Sequence, residues 1–235
     1  MPMKIAVMQP YFIPYIGYFQ LMSAVDQFVV FDDVNYIKRG WINRNRILLN
    51  GQPHYLTLPI SGASQNRIIQ FIELDRDKIA LDKKLSMIRH AYSKAPFFDA
   101  TFSLAEKLLG CPENNLCRFI VYSLKIIAAQ LGIPTRFCMS SELKKDSSLK
   151  GQEKILEICR VLGADHYINS IGGRGLYENE AFARNGIRLS FLSPDPIEYP
   201  QFGGGFVPDL SIVDVMMFNS REACREFLKD YHLID

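Results

Sequence analysis

The sequence predicts an α/β protein: an open, mainly parallel sheet with helices on both faces. Three observations lead there. Helix-like and strand-like segments alternate through most of the 235 residues. The early strand-like runs, 4–8 and 27–32, are too continuously apolar for exposed antiparallel strands. With 48% apolar residues, the chain can bury a substantial core.

In order, a strand at 4–8, a helix at 15–24 and a strand at 27–32 form a βαβ opening. Segments 46–50 and 54–60 flank Asn50-Gly51, a strong two-residue turn signal, so a hairpin is expected. Residues 67–74 read as a further strand. Helices dominate 77–131, broken at Pro96 and at Gly110-Cys111-Pro112; the last begins at an Asn and stops at Gly132. This stretch is an insertion or a small helical subdomain within a single α/β domain. A strand at 135–139, a helix at 151–162, a strand at 166–169, a short helix at 179–184 and a strand at 187–192 follow. A Pro-rich loop (193–208) and one or two helices over 211–228 close the pattern.

Net charge is +2, and no long basic stripe marks a general nucleic-acid binder. The five cysteines include no CxxC pair and the four histidines are dispersed, so no metal site is expected. Reduced, buried thiols fit a cytoplasmic protein. No apolar run reaches the roughly 18 residues of a spanning helix, and the start lacks a signal-peptide layout, so no membrane partner is expected.

In doubly wound sheets, ligands sit beyond the carboxyl ends of the strands. Three polar segments fall there: 9–18, 32–46 and 169–177. The first carries Gln9, Tyr11, Tyr15, Gly17 and Tyr18, with Pro14 suited to a first helical turn. Its alternative reading is an aromatic core whose hydroxyls reach the surface. Asp32-Asp33 ends a strand, where a carboxylate can hold a metal, a ribose hydroxyl or an amine, or merely cap a turn. Next, Lys38, Arg39, Arg44 and Arg46 surround Trp41, Asn43 and Asn45. Arginine clamps phosphate and Trp stacks on a base or sugar, although such runs are often a solvated face. The third segment, Asn169-Ser170-Ile171-Gly172-Gly173-Arg174-Gly175-Leu176-Tyr177, can cradle phosphate with backbone N–H groups or can be a tight turn needing positive φ. It matches neither standard glycine-rich nucleotide motif. Asp209 or Ser211 reads as a cap of the last helical stretch. The functional expectation is that the tyrosines face the arginine-bearing stretch across one cavity.

Residues 9–47 (QPYFIPYIGYFQL…DQFVVFDDVNYIKRGWINRNRI), with the later YINS, GG and LY pieces and PDLSIVDVMMFNS, closely resemble the WbqC-like family over nearly the whole chain. That family is associated with bacterial surface polysaccharide and O-antigen. The resemblance suggests aminoacylation, for example with glycine, of a nucleotide-linked amino sugar. It supplies no established catalytic residue. A fainter likeness, in Pro14-Tyr15-Ile16-Gly17-Tyr18 and the run 26–31, is to nucleotidylyltransferase-type folds, pantoate–amine ligases among them. Those use an HxGH turn; here Tyr15 and Tyr18 stand where the histidines would. Tyrosine (pKa about 10) stays a neutral donor where histidine (about 6.5) can carry charge.

The resulting expectation is an enzyme, a ligase or acyl transferase, that forms an amide on the amino group of a nucleotide-linked sugar. A carboxylate or aminoacyl compound is the donor, and ATP with Mg2+ is used if the donor arrives unactivated. Asp32 or Asp33 would orient or deprotonate the amine, and Tyr18 joins them as a catalytic candidate. Lys38, Arg39, Arg44, Arg174 and the Gly172-Gly173 loop would hold phosphates. Gln9, Tyr11, Tyr15, Gly17, Trp41, Asn43, Asn169, Ser170 and Tyr177 would complete the substrate site. Non-catalytic nucleotide-sugar binding, beside other glycan-pathway enzymes, and an aminoacyl-tRNA-dependent transferase are the alternatives.

Overall fold

The computed structural model describes residues 3–62, 64–75 and 78–235. Six strands form the main sheet. β1 (Lys4–Met8) lies at its centre, flanked by β2 (Gln27–Val30) and β8 (His166–Ser170). β7 (Arg136–Met139) closes the sheet beyond β2; β9 (Arg188–Pro194) and β10 (Tyr231–Ile234) lie beyond β8. All pairings are parallel except β9 with β10. The chain therefore winds outward from β1 first through β2 and β7, then through β8 and β9. The loops after β1 and β8 diverge there, opening a crevice at their carboxyl ends.

Helices cover both faces. α1 (Ile16–Ser23) and α4 (Leu116–Leu131) share a buried cluster with Ala6, Phe28 and Val30. α5 (Gly151–Leu162) and α6 (Asn179–Arg184) pack with Ile5, Val7 and Val29 on the other side. This inside/outside alternation along β1 and β2 is the period-2 signature of a strand buried on both faces. α2 (Lys78–Tyr92) and α3 (Phe98–Leu109) precede α4, with breaks where Pro96 and the Gly110–Pro112 run lie. Asn115 caps α4, its side chain accepting from Arg118 N–H, and Gly132 ends it at φ 73°. α7 (Ile212–Phe218) and α8 (Arg221–Phe227) close the helical layer. Among the described residues, no helix is long and apolar enough to cross a membrane.

The hairpin forms as expected from β3 (Arg44–Leu49) and β4 (Gln52–Thr57), with Asn50 and Gly51 at φ 53° and 72°. Two positive angles in a two-residue loop match the twist of the strands it joins. The strand expected at 67–74 does not form. Ile69–Phe71 is a 3-10 turn, followed by the two-residue β6 (Glu73–Leu74) paired with β5 (Ile60–Ser61). Ile69 and Ile72 are fully buried while Phe71 is 56% exposed; burial three residues apart suits a 3-10 turn rather than a strand. β10 lies beyond every expected element. Its four residues are too few to signal a strand alone and are held by the ladder to β9.

Candidate functional site

The loop after β1 sets the geometry. Ile13 is buried with φ 37°, a conformation β-branched residues rarely adopt. Four hydrogen bonds over-determine it. Phe12 N–H donates to Trp41 O (3.1 Å), and Asn45 Nδ2 donates to Phe12 O (3.1 Å). Ser211 Oγ donates to Ile13 O (2.7 Å), and Ile212 N–H to Pro14 O (2.8 Å). Strain of order 1–3 kcal/mol held by its surroundings in this way is typical of functional loops. The loop is thus fastened both to the segment preceding the hairpin and to the start of α7.

Between the ends of β1 and β8 lies a cavity of about 630 Å3. Gln9, Tyr11 and Tyr15 line it from the first loop; Asn169, Ser170, Gly172, Gly173 and Tyr177 line it from the loop after β8. Trp41 and Arg46 come from the 32–46 segment, so tyrosines and an arginine-bearing stretch meet across one hollow. Burial raises the Tyr11, Tyr15 and Tyr177 pKa values, and Asp209 adds to the effect on Tyr15. These hydroxyls are neutral donors at cellular pH, not bases.

Gly17 and Gly173 act through space rather than through backbone angle. A Cβ at Gly17 would lie 2.4 Å from the Tyr15 ring, and one at Gly173 2.6 Å from Asn169 Nδ2. Each glycine lets a cavity-lining side chain fold back over it. Gly172, Gly173 and Gly175 all lack positive φ, because residues 171–176 form a 3-10 turn rather than the positive-φ turn their glycines suggested.

Other expected residues fall elsewhere. Tyr18 is buried, its hydroxyl donating to Gln9 O (2.8 Å); it fixes the loop from beneath and does not line the hollow. Asn43 is a structural amide, accepting from Tyr36 Oη (2.7 Å) and donating to Leu58 O (2.9 Å). Arg44 bonds Gly40 O and Arg39 O and lies over the Tyr55 ring at 4.3 Å. Lys38, Arg39 and Arg174 are exposed and outside the cavity lining. Arg44 and Arg46, two apart on β3, share a strand face, so contacts separate them: Arg44 turns back to the Gly40 and Arg39 carbonyls and the Tyr55 ring. Pro14 also stands just outside α1, whose N-cap is Tyr15.

Asp32 and Asp33 leave this cavity too. Asp32 accepts from Ser141 N–H (2.9 Å) and Ser141 Oγ (2.6 Å). Asp33 pairs with Lys145 (2.9 Å) and Lys154 (2.8 Å), all three side chains largely buried. Burial alone would raise its pKa, but Lys154 and then Lys145 outweigh that and lower it. Together the two carboxylates fasten the loop after β7, and α5, to the end of β2.

Asn45, Ile37, Leu176 and Asp209, with Val7, Met8 and Phe31 from the strand ends, complete the lining. Arg46 stood in the cation run, but nothing in the sequence separated it from Arg44. Asp209 was open to reading as a helix cap; Ser211 takes that role, accepting from Val213 N–H. Arg46 donates to Asp209 O (3.1 Å) and lies 5.5 Å from the Trp41 ring centre, while its Nε is buried without a hydrogen-bond partner. Among the described residues, no group of three or more His, Cys, Asp or Glu could hold a metal ion.

Fold and crevice define an α/β protein with a preformed pocket, apolar walls carrying a few polar groups, at the switch point of its sheet. The profile of the WbqC-like protein family matches residues 9–226, and the chain belongs to that family. It is similar to the uncharacterized protein Rv1507c of Mycobacterium tuberculosis (strain ATCC 25618 / H37Rv), at 28% identity over 229 residues. That alignment covers 96% of this chain and 97% of the relative. No solved structure matches the chain significantly.

Proposed function

We propose that the cavity binds a nucleotide-linked amino sugar and that the protein forms an amide on its amino group. Membership of the WbqC-like family suggests a polysaccharide-related function. The observation that carries the finer reading is the lining: amides, neutral tyrosine hydroxyls and Trp41 around one arginine whose buried Nε has no partner. Amides and hydroxyls suit sugar hydroxyls, a ring suits a sugar or base face, and a guanidinium suits phosphate.

Asp209 replaces Asp32 and Asp33 as the carboxylate beside the sugar amine, because it lines the cavity and they do not. In the proposed step the amine nitrogen bonds to the acyl carbon of an activated donor. The bond from that carbon to its activating group breaks, and the surplus amine proton passes to the Asp209 carboxylate. A donor that arrives as a free carboxylate would need activation by ATP first.

Purified protein mixed with ATP, glycine and a dTDP-4-amino sugar is expected to yield an amide; absence of amide, AMP and ADP would remove the ligase version. Binding is separately visible by thermal shift, since a ligand at 100 times its Kd stabilises by about 2.7 kcal/mol. Arg46→Ala is expected to abolish that shift. A second reading, binding without turnover, draws support from the engagement of Asp32 and Asp33 outside the cavity. It predicts the thermal shift with no product.

A further inference from the structure

A second hollow of about 620 Å3 opens on the same carboxyl edge, where β2 and β7 end. Phe31 lines the first cavity and its neighbour Asp32 lines this one, so the end of β2 is the partition. One wall is a single face of α4, where Arg118, Val121, Tyr122 and Lys125 recur at spacings of three and four. Phe71 and Phe137 add aromatic surface. Phe71 is a large ring left 56% exposed.

The charges on this lining are balanced: Arg118 and Lys125 against Asp32 and Glu142. Among the described residues, neither cation pairs with a carboxylate, and Glu142 pairs with no cation. Lys125 only lies over the Phe137 ring, 5.9 Å from its centre. Asp32 is 1% exposed and accepts two bonds from Ser141, so it serves this hollow as a fixed negative charge in its floor. A simple anion would meet two carboxylates here, and a simple cation two positive groups. A ligand carrying both charges beside an apolar body satisfies all of them.

We infer that this hollow binds a free α-amino acid with an aromatic or other large apolar side chain. Its carboxylate sits on Arg118 and Lys125, its ammonium on the exposed Glu142 above the buried Asp32 charge, and its side chain against Phe71, Tyr122 and Phe137. This site is separate from the sugar cavity and stands whether or not the amide reading does.

Titration calorimetry on the full chain tests it with L-phenylalanine, glycine, phenethylamine (no carboxylate) and 3-phenylpropionate (no ammonium). Phenylalanine is expected to bind, and losing either charge to weaken binding about tenfold or more. Glycine is expected to bind more weakly still. Arg118→Ala combined with Lys125→Ala changes two exposed side chains and should keep the fold by circular dichroism while losing phenylalanine affinity. Asn169→Ala, in the first cavity, should leave that affinity unchanged. The inference is overturned by no phenylalanine binding at concentrations on the order of 10 mM. It is equally overturned by 3-phenylpropionate binding as tightly, or by loss of binding in Asn169→Ala with retention in the double variant.

Discussion

Two buried carboxylates in this protein are compensated in opposite ways. Asp33 sits between two ammonium groups, Lys145 and Lys154, at the end of the central strands. Asp214, fully buried in α7, meets no cation among the described residues. It accepts instead from Tyr92 Oη (2.7 Å), Tyr199 Oη (2.8 Å) and Gln201 Nε2 (2.8 Å). Tyr92 in turn accepts from Leu48 N–H (2.8 Å), so α2, the hairpin, α7 and the loop at 199–201 meet at one oxygen cluster. Burial raises the Asp214 pKa, and its three neutral donors only partly offset that. At Asp33 the lysines more than offset burial. At Asp214 three neutral donors fall short of its burial, whereas at Asp33 two opposite charges exceed it.

The sharpest way to break the comparison is Asp33→Asn. It strands two buried ammonium groups and should cost about 3–5 kcal/mol in urea unfolding. A loss below about 1 kcal/mol, the range of exposed pairs, would mean the lysines relax to solvent. Asp214→Asn should cost less, about 1–3 kcal/mol near neutral pH, because an amide carries no charge to strand but mismatches one donor. Tyr92→Phe removes both the donor to Asp214 and the acceptor for Leu48 N–H. About 1–3 kcal/mol is expected, with hydrogen exchange of the Leu48 amide rising. The smallest effect belongs to Ser211→Ala at the start of α7, roughly 1 kcal/mol for a lost cap.

Acidity sharpens the contrast because the two groups have opposite signs. Asp33 has a lowered folded pKa, so its contribution is present above the unfolded value, about 3.9, and is lost as pH falls through the folded value. Asp214 has a raised folded pKa, so its contribution is full below about 3.9 and is lost as pH rises through the folded value. The penalty of Asp33→Asn should therefore shrink in acid, while that of Asp214→Asn should shrink toward neutrality. Parallel pH profiles for the two variants would mean their environments do not differ as the structure has them.

Local signals proved readable where the chemistry was local. Asn50-Gly51 announced its hairpin because the turn needs two positive φ angles at adjacent residues. Alternation of elements placed the loops after β1 and β8 on one edge, since crossovers in a parallel sheet bring carboxyl ends together, but their adjacency came from the strand order. Residues 67–74 misled because five apolar residues in eight suit several backbones. The four cations of residues 38–46 were indistinguishable in sequence, and only tertiary contacts set Arg46 apart: it reaches Trp41 and Asp209, while Arg44 turns back to the carbonyls of Arg39 and Gly40. Asp32-Asp33 read equally well as site or clamp, because their partners Ser141, Lys145 and Lys154 lie over a hundred positions later.

The amino-acid order by itself determined the α/β layering, the hairpin turn and the loops that border the crevice, because periodicity and turn chemistry act between near neighbours. Only the tertiary structure decided which charges face a hollow and which are spent in a clamp. That choice depends on residues distant in the chain, whose approach is governed by sheet order and packing.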